Sequence, residues 1–230
     1  MECAETPGDR AREHVLVWTV VVAGGSGRRF GRAKQYESLG DQRVIDVSRA
    51  TAAQCSDGVV LVVPADDASS ENGVAGGETR SASVRAGLAR VPEDVDVVCV
   101  HDAARPLASP ALYERVVAAI LDGADAAVPG IAVADTIKVI DPASALGNVL
   151  GRVTNTPDRS TLVAVQTPQA FRASALRAAH ASGGDATDDA ALVEAAGGVV
   201  VVVEGEPSAR KITTPDDLGW AREQLVRSTP

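Results

Sequence analysis

Aromatic residues are scarce in this 230-residue chain, where tryptophan, tyrosine and phenylalanine together make up only 3% of the sequence. A core built on aromatic clusters is therefore excluded, and packing must rely on the valine, alanine and leucine that dominate the 45% hydrophobic content. Branched aliphatic strands against alanine-rich helices are typical of a buried parallel sheet. The length allows one large domain or two small ones. No internal repeat, linker or low-complexity tract favours two.

Reactive and membrane-forming features are also few. The three cysteines, Cys3, Cys55 and Cys99, are odd in number and lack the CxxC spacing of zinc or redox sites. No apolar run approaches the roughly 18 residues of a membrane span, and charges interrupt the N-terminal stretch where a signal peptide would be apolar. We therefore expect a cytoplasmic protein without a membrane partner, in which residues 1–14 form a disordered tail.

Positive charge is in deficit, since 22 lysines and arginines face 31 acidic residues and give a formal net charge of -9. This balance argues against a nucleic-acid polymer as partner, because such binding needs a cationic surface. Four cations nevertheless cluster within the stretch from Ala23 to Tyr36, AGGSGRRFGRAKQY, directly after an apolar run; they are Arg28, Arg29, Arg32 and Lys34. A local cationic patch on an acidic chain suits a single nucleotide.

The glycines of this stretch match neither common phosphate-binding template. A dinucleotide fingerprint needs a third glycine where Phe30 stands, and a Walker A loop needs a Lys-Ser or Lys-Thr pair that does not follow. What remains is a glycine-rich turn with free backbone N–H groups and adjacent cations, which suits a multiply charged polyphosphate. The alternative is an ordinary strand-to-helix turn with solvated arginines.

Apolar runs recur along the chain between alanine-rich segments of helical period, at residues 15–22, 59–63, 95–100, 126–129, 162–165 and 199–203. This alternation predicts a single Rossmann-like three-layer α/β domain over residues 15–230, with a mainly parallel sheet. Helix starts are predicted at Ser109-Pro110, at Thr187 to Asp189 and at Thr214 to Asp217. Residues 135–160 break the pattern and predict a projecting β-hairpin arm, suited to a lid or a subunit contact.

Ligands of open parallel sheets bind beyond the carboxyl ends of the strands. Asp102 follows the 95–100 run and is placed to hold Mg²⁺ beside a polyphosphate, unless it only caps the next turn. His101 is more typical of a structural histidine than of a catalyst. The stretch from Gly76 to Ser83 is a second glycine turn, which offers hydroxyls to a base or ribose or, alternatively, helix caps at Ser81 or Ser83.

Seven motifs, taken in order, resemble those of the 2-C-methyl-D-erythritol 4-phosphate cytidylyltransferases: AGGSGRR with KQY, GGETRSASV, VHDAARP, DTIK, QTPQAF, ATDDAALVE and KITTPDDL. The resemblance runs from about Trp18 to Leu218. It implies transfer of CMP from CTP to a polyol phosphate, with Mg²⁺ as cofactor, in a homodimer formed through the arm.

The resemblance also implies roles for individual residues. Catalytic roles fall on Arg29, Lys34 and Lys211, and nucleotide binding on Ala23, Gly24, Gly25, Gly27, Gly77, Glu78, Ser83 and Asp102, the last also as metal ligand. Acceptor binding falls on Lys211, Arg159, Thr187, Arg105 and Thr136, with Arg105 and Thr136 on the side of the neighbouring subunit's arm.

Three departures from the family pattern bear on these expectations. The segment between Arg29 and Lys34 is about two residues short, and Ala209 replaces an asparagine that would help to hold Lys211. Gly24 replaces a common alanine and gives a likeness to ribitol 5-phosphate cytidylyltransferases. The alternatives are therefore the same chemistry on ribitol 5-phosphate or another polyol phosphate, a non-catalytic nucleotide-binding regulator, and a nicotinamide dehydrogenase, which Phe30 disfavours.

Overall fold

A computed structural model describes residues 14–24, 30–31, 33–181 and 183–228. All of the expected N-terminal tail except His14 lies outside these residues. The strands of the described part are β1 (Val17–Val22), β2 (Ser38–Leu39), β3 (Gln42–Arg43), β4 (Gly58–Val63), β5 (Val74–Ala75), β6 (Val97–Asp102), β7 (Ala126–Ala132), β8 (Val139–Asp141), β9 (Arg152–Asn155), β10 (Val163–Val165), β11 (Gln169–Arg172) and β12 (Val200–Glu204). The helices are α1 (Val44–Gln54), α2 (Arg80–Leu88), α3 (Pro110–Leu121), α4 (Ala173–Ala181), α5 (Asp189–Ala195) and α6 (Pro215–Ser228).

The central sheet is mainly parallel, as predicted. Strand β1 lies at its centre between β4 and β6, both parallel to it, and β5 extends the sheet beyond β4. Strand β12 runs parallel to β7. Two strands run the other way: β11 is antiparallel to both β6 and β7, and β10 is antiparallel to β7. The carboxyl ends of β1, β4 and β6 therefore meet at one edge of the sheet.

Both faces of the sheet are covered, which explains why its strands read as continuous apolar runs rather than as alternating ones. Successive side chains of a strand point to opposite faces. Val20 accordingly packs in a cluster with Val84 and Leu176 from α2 and α4. Its neighbour Val21 packs on the other face with Tyr113 from α3 and with α1. The predicted three-layer arrangement is confirmed.

Polar caps begin the helices close to the predicted positions. The Ser109 hydroxyl accepts a hydrogen bond from the backbone N–H of Leu112 at the start of α3. Helix α5 begins at Asp189, two residues beyond Thr187, with Asp188 as the cap that accepts from the N–H of Ala191. For α2 the alternative of a serine cap is wrong: Thr79 accepts from the N–H of Ala82.

Residues 133–162, which we call the arm, leave the main sheet between β7 and β10. They contain the predicted hairpin, in which β8 and β9 form a separate two-stranded antiparallel sheet with a register shift next to Val139. Both strands are exposed along their whole length. None of the helices in the described residues is long and apolar enough to cross a membrane.

Candidate active site

A pocket of about 710 Å³ opens where β1, β6 and the first turn of α2 meet. Segments distant in sequence line it, because the parallel arrangement brings their strand ends to one edge. The lining residues are Val22, Ala23, Gly24, Phe30, Lys34, Gln35, Gly77, Glu78, Thr79, Arg80, Ser83, Asp102, Ala103, Ala104, Lys211 and Thr213.

Glycines shape the wall of the pocket beside α2. A Cβ on Gly77 would lie 2.5 Å from the Cβ of Ala82, so only glycine lets the turn approach the helix this closely. The N–H of Gly77 donates to the Ser83 hydroxyl at 3.2 Å, and that hydroxyl donates to the carbonyl of Thr79 at 3.0 Å. Ser83 therefore fixes the shape of this turn. Across the pocket, a Cβ on Gly24 would meet the Ser83 oxygen at 3.7 Å, an ordinary contact, so the alanine common in the family would fit here as well.

Asp102, the last residue of β6, carries the negative charge at the base of the pocket. Lys211 Nζ lies 2.6 Å from its Oδ2, and Arg80 Nε lies 3.5 Å from its Oδ1. Burial alone would raise the pKa of Asp102, but the charges of Lys211 and Arg80 outweigh it and hold that pKa well below its usual range. The carboxylate is therefore ionised at neutral pH, and two cations lie beside it.

The second pocket lysine is tied to the same segment as the first. Lys34 begins a 3₁₀ turn, Lys34–Tyr36, and its Nζ donates to the backbone carbonyl of Ile212, next to Lys211, at 2.7 Å. The N–H of Ile212 in turn donates to the carbonyl of Ala104, just beyond β6. Contacts from β6 and from the turn at Lys34 thus place both lysines on one rim of the pocket.

This arrangement suits a polyanion that carries a metal ion. Lys211 and Arg80 lie beside the carboxylate of Asp102, and Lys34 lines the same pocket near a glycine turn with backbone donors. No group of three or more metal-ligating side chains occurs among the described residues. Asp102 supplies one carboxylate, and Mg²⁺ is a cation that takes one or two carboxylates and completes its shell from phosphate and water.

Comparison with known proteins agrees with this geometry. The profile of the IspD family, described as 2-C-methyl-D-erythritol 4-phosphate cytidylyltransferase, matches residues 17–227. The chain belongs to this family. A cytidylyltransferase of that name from Rhodococcus opacus is 46% identical over 219 residues, covering 90% of this chain and 93% of the relative.

Solved structures of the family share the fold. The 2-C-methyl-D-erythritol 4-phosphate cytidylyltransferase of Thermus thermophilus superposes with a TM-score of 0.75 at 34% identity, over 93% of this chain and 100% of that one. The 4-diphosphocytidyl-2C-methyl-D-erythritol synthase of Anaerococcus prevotii gives a TM-score of 0.78 at 29% identity, over 93% and 99% of the two chains.

The family's expected nucleotide residues mostly come together in the pocket. Its lining includes Ala23, Gly24, Lys34, Gly77, Glu78, Ser83, Asp102 and Lys211. Gly25, Gly27 and Arg29 lie outside the described residues. The expected acceptor residues other than Lys211 do not line the pocket; they are Arg105, Thr136, Arg159 and Thr187. The roles assigned to all these residues stay predictions.

The structure adds detail on three of these residues. Arg105 follows β6 in the main domain and donates to the carbonyls of Ala209 and Val165, so it does not lie within the arm of its own chain. Arg159 lies within the arm, as the predicted bounds of 135–160 required, and donates to the carbonyl of Ala134. Lys211 has a side-chain partner in spite of Ala209, since its Nζ lies 2.6 Å from Asp102 Oδ2.

His101 is a structural residue, as its sequence context indicated. It is buried, its ring lies 5.6 Å from that of Tyr113, and its Nδ1 is 3.2 Å from the Thr167 hydroxyl. Burial lowers the pKa of His101 to about 4, so the ring is neutral at physiological pH. The same Thr167 hydroxyl accepts from the N–H of Asp102 and so helps to fix the residue at the pocket base.

Sequence analysis missed Arg80 as a member of the site. Arg80 is the first residue of α2, whose first turn contains no acidic residue. A cation at a helix N-terminus opposes the helix dipole. An arginine at this unfavourable position indicates that its side chain pairs with a carboxylate elsewhere in the fold. This signal could have been read from the GGETRSASV motif.

Proposed function

We propose that this protein transfers the cytidylyl group of CTP to 2-C-methyl-D-erythritol 4-phosphate and releases pyrophosphate. The observation that carries the proposal is the meeting of Lys34, Lys211 and Asp102 in one glycine-walled pocket. Family membership and the names of the relatives support the choice of substrates.

In the proposed reaction an oxygen of the acceptor phosphate attacks the α-phosphorus of CTP. A new P–O bond forms, the bond between the α-phosphorus and the oxygen that bridges to the β-phosphorus breaks, and pyrophosphate leaves. Both reactants are anions, so the protein must neutralise repulsion and align them. The acceptor phosphate is already ionised near pH 7 and needs no strong general base, which is consistent with the described part of the pocket lining, where no histidine occurs.

Lys34 and Lys211 are the neutralising cations in this scheme, together with Arg29. Lys211 is 38% exposed and reaches a pocket ligand by turning away from Asp102. Asp102 would hold Mg²⁺, whose role when bound is to neutralise phosphate charge. Arg105, Thr187 and the arm residues Thr136 and Arg159 are proposed to bind the acceptor phosphate.

We also infer a homodimer formed through the arm. Large apolar side chains are exposed there, at Ile137, Val139, Ile140, Leu146, Val149, Leu150 and Val153. Exposed apolar side chains gathered in one element are typical of an interaction surface. Thr136 and Arg159 do not line the pocket of their own chain, and a second copy offers them another pocket to serve. We also propose a cytoplasmic location, which cell fractionation would test.

The deciding experiment measures pyrophosphate release from CTP and Mg²⁺ with each acceptor separately. We expect turnover with methylerythritol phosphate and little with ribitol 5-phosphate. Turnover with ribitol 5-phosphate alone would favour the other polyol substrate. CTP binding without release for any acceptor would indicate a regulator, and binding of NAD in place of CTP would indicate a dehydrogenase.

A further inference from the structure

The segment that leads into α5, residues 184–189, is bound to the first turns of α2. Three hydrogen bonds join the two: Arg85 Nη1 to the carbonyl of Gly184 (3.0 Å), the Thr79 hydroxyl to Asp185 Oδ1 (2.7 Å) and the N–H of Ala186 to the Ser81 hydroxyl (3.3 Å). Thr187 lies within this segment and is exposed. Helix α2 also forms part of the pocket wall, so one helix contacts both the nucleotide pocket and the segment that carries Thr187.

Arg80 makes this connection ionic. Its Nη1 pairs with Asp189 Oδ2 at 2.5 Å, and its Nε lies 3.5 Å from Asp102 Oδ1. One planar guanidinium thus lies between the carboxylate at the pocket base and the first residue of α5. The planar guanidinium of arginine holds its N–H donors in a fixed geometry and can pair with two carboxylates at once. The compact point charge of lysine is poorly suited to this.

Asp189 is the carboxylate partner of Arg80 on the side of α5. Its side chain is fully buried, and its Oδ1 lies 3.0 Å from Nε2 of the buried His180. A buried carboxylate depends on its partners, because water is not available to replace them. Arg80 is therefore held in place by Asp189. Lys211 is more exposed than Arg80, and it is the cation that can leave Asp102 for a ligand.

We propose that Arg80 is a positioning residue which, by holding Asp102 and Asp189 together, couples the nucleotide pocket to the segment that carries Thr187. The inference rests on the proposed function, in which Asp102 lies at the nucleotide and Thr187 contacts the acceptor phosphate. When Lys211 turns to the triphosphate, Arg80 stays as the counterion of Asp102. The distance between the two substrate-binding regions is thereby kept constant.

Asp189→Asn is the most direct test, because Asp189 does not line the pocket and Asn preserves its size. We expect the KM for the acceptor to rise about tenfold and kcat to fall, with the affinity for CTP within threefold of the parent. The second readout is backbone amide exchange over residues 184–188. In the parent, CTP with Mg²⁺ should slow this exchange, and the variant should lose that response.

Two further variants test whether the effect comes from the pairing of Arg80 with both carboxylates, from the charge of Arg80 alone, or from the packing of residues 184–189 on α2. Arg80→Lys keeps the positive charge but loses the planar guanidinium, and we expect this variant to resemble Asp189→Asn. Arg85→Gln removes a contact to the same segment without touching Asp102, and we expect faster exchange near Gly184 with the CTP response intact. The double variant Arg80→Gln/Asp189→Asn leaves no unpaired buried charge, so it tests the coupling if a single variant fails to fold.

Parent-like acceptor KM and a parent-like exchange response in folded Asp189→Asn or in the double variant would overturn the coupling. So would a loss of CTP affinity large enough to account for the whole loss of turnover. The exchange measurement needs only CTP and Mg²⁺, so it tests the coupling even if methylerythritol phosphate is not the acceptor. Failure of the parent to bind CTP would overturn both proposals, whereas normal parent turnover with an unchanged response in the variants would overturn this one alone.

Discussion

The pocket and the arm place their side chains in opposite environments. At the pocket, charged groups are buried and paired: Asp102 has two cations beside it, and the fully buried Asp189 is held by Arg80. In the arm, apolar groups are exposed, with Leu146 and Leu150 each at least 80% accessible. Both arrangements are unfavourable for an isolated chain, since a buried charge loses hydration and an exposed leucine orders water.

The difference indicates where each region finds its compensation. The pocket's charges are satisfied within the same chain, by residues brought together from β6, α2, α5 and the segment before α6. The arm has few partners of its own, because its two strands form a separate sheet apart from the main one. We infer that the pocket is preorganised in a single chain, whereas the arm is completed by a second copy.

Lys211→Met should give the largest effect. The substitution removes a cation from the pocket and leaves Asp102 with Arg80 as its remaining charged partner. Loss of one preorganised group that stabilises charge in a transition state costs roughly 100-fold to 1,000-fold in rate. We expect kcat/KM for pyrophosphate release to fall by about 100-fold or more. Arg222→Met, on α6 and bonded only to the carbonyl of Ser38 in the described structure, is the control. A loss below about fivefold would remove Lys211 from the catalytic assignment.

Val153→Asp should break the arm's proposed contact. Val153 lies on β9 opposite Ile140, and both are exposed in the single chain. A charge buried without a partner costs on the order of 3–5 kcal/mol, so the dimer dissociation constant should rise about 100-fold or more. Sedimentation at a series of protein concentrations measures it.

Thr154→Asp is the control for Val153→Asp, because the Thr154 hydroxyl turns back onto its own hairpin and donates to the carbonyl of Val139 at 3.2 Å. It adds the same charge one residue along the same strand. We expect it to leave association closer to that of the parent. A parent that sediments as a monomer at all concentrations, or equal effects of the two substitutions, would contradict dimerisation through this face of the arm.

Asp217→Asn should have a moderate effect on stability. Asp217 is buried and accepts from the backbone N–H groups and hydroxyls of Thr213 and Thr214, which follow directly on the segment that carries Lys211. Asparagine loses the charge-assisted part of these bonds, so the free energy of unfolding at pH 7 should fall by about 1–3 kcal/mol. Asp216→Asn, at the adjacent and exposed position, should change the free energy of unfolding far less.

The same pair of variants has a defined pH dependence. Burial would raise the pKa of Asp217, but the hydrogen bonds from Thr213 and Thr214 outweigh it and hold that pKa well below its usual range. A carboxylate whose pKa is lower in the folded state stabilises the fold above its unfolded pKa of about 4, and this contribution is lost as the pH falls further. Urea unfolding should therefore show a parent advantage at pH 7 that narrows at pH 3. A constant difference would mean that charge is not the cause.

The sequence allowed the fold and much of the pocket to be predicted, for identifiable reasons. The run VWTVVV reads as a strand because both of its faces are buried. Asp102 and Lys34 follow such runs or the glycine turn, where ligands of parallel sheets bind. Strand β11, Gln169–Arg172, gave no such signal, because it is four residues long and mixes Gln and Arg with Ala and Phe. It is buried only because β6 and β7 flank it.

The pairing of Arg80 with Asp102 and Asp189 could not be predicted from the sequence, because it forms only in the tertiary structure. Asp102, Arg80 and Asp189 are separated by 22 and 109 positions, and no local pattern links them. Local periodicity determines elements, whereas the partners of buried charges depend on which elements meet.

Ser144→Ala should have the smallest effect and so marks the lower end of the comparison. Ser144 lies in the arm, where its hydroxyl donates to the carbonyl of Asp141 at 2.7 Å and accepts from the N–H of Arg152 at 2.6 Å. The geometry resembles that at Asp217, but here Ser144 is only half-buried and its partners Asp141 and Arg152 are exposed, so water can replace the lost bonds. We expect the global free energy of unfolding to stay within about 0.5 kcal/mol of the parent. Amide exchange at Arg152 should still quicken, because the hairpin opens locally without unfolding the main domain. A global loss above about 1 kcal/mol would mean that the arm and the pocket domain unfold together as one cooperative unit.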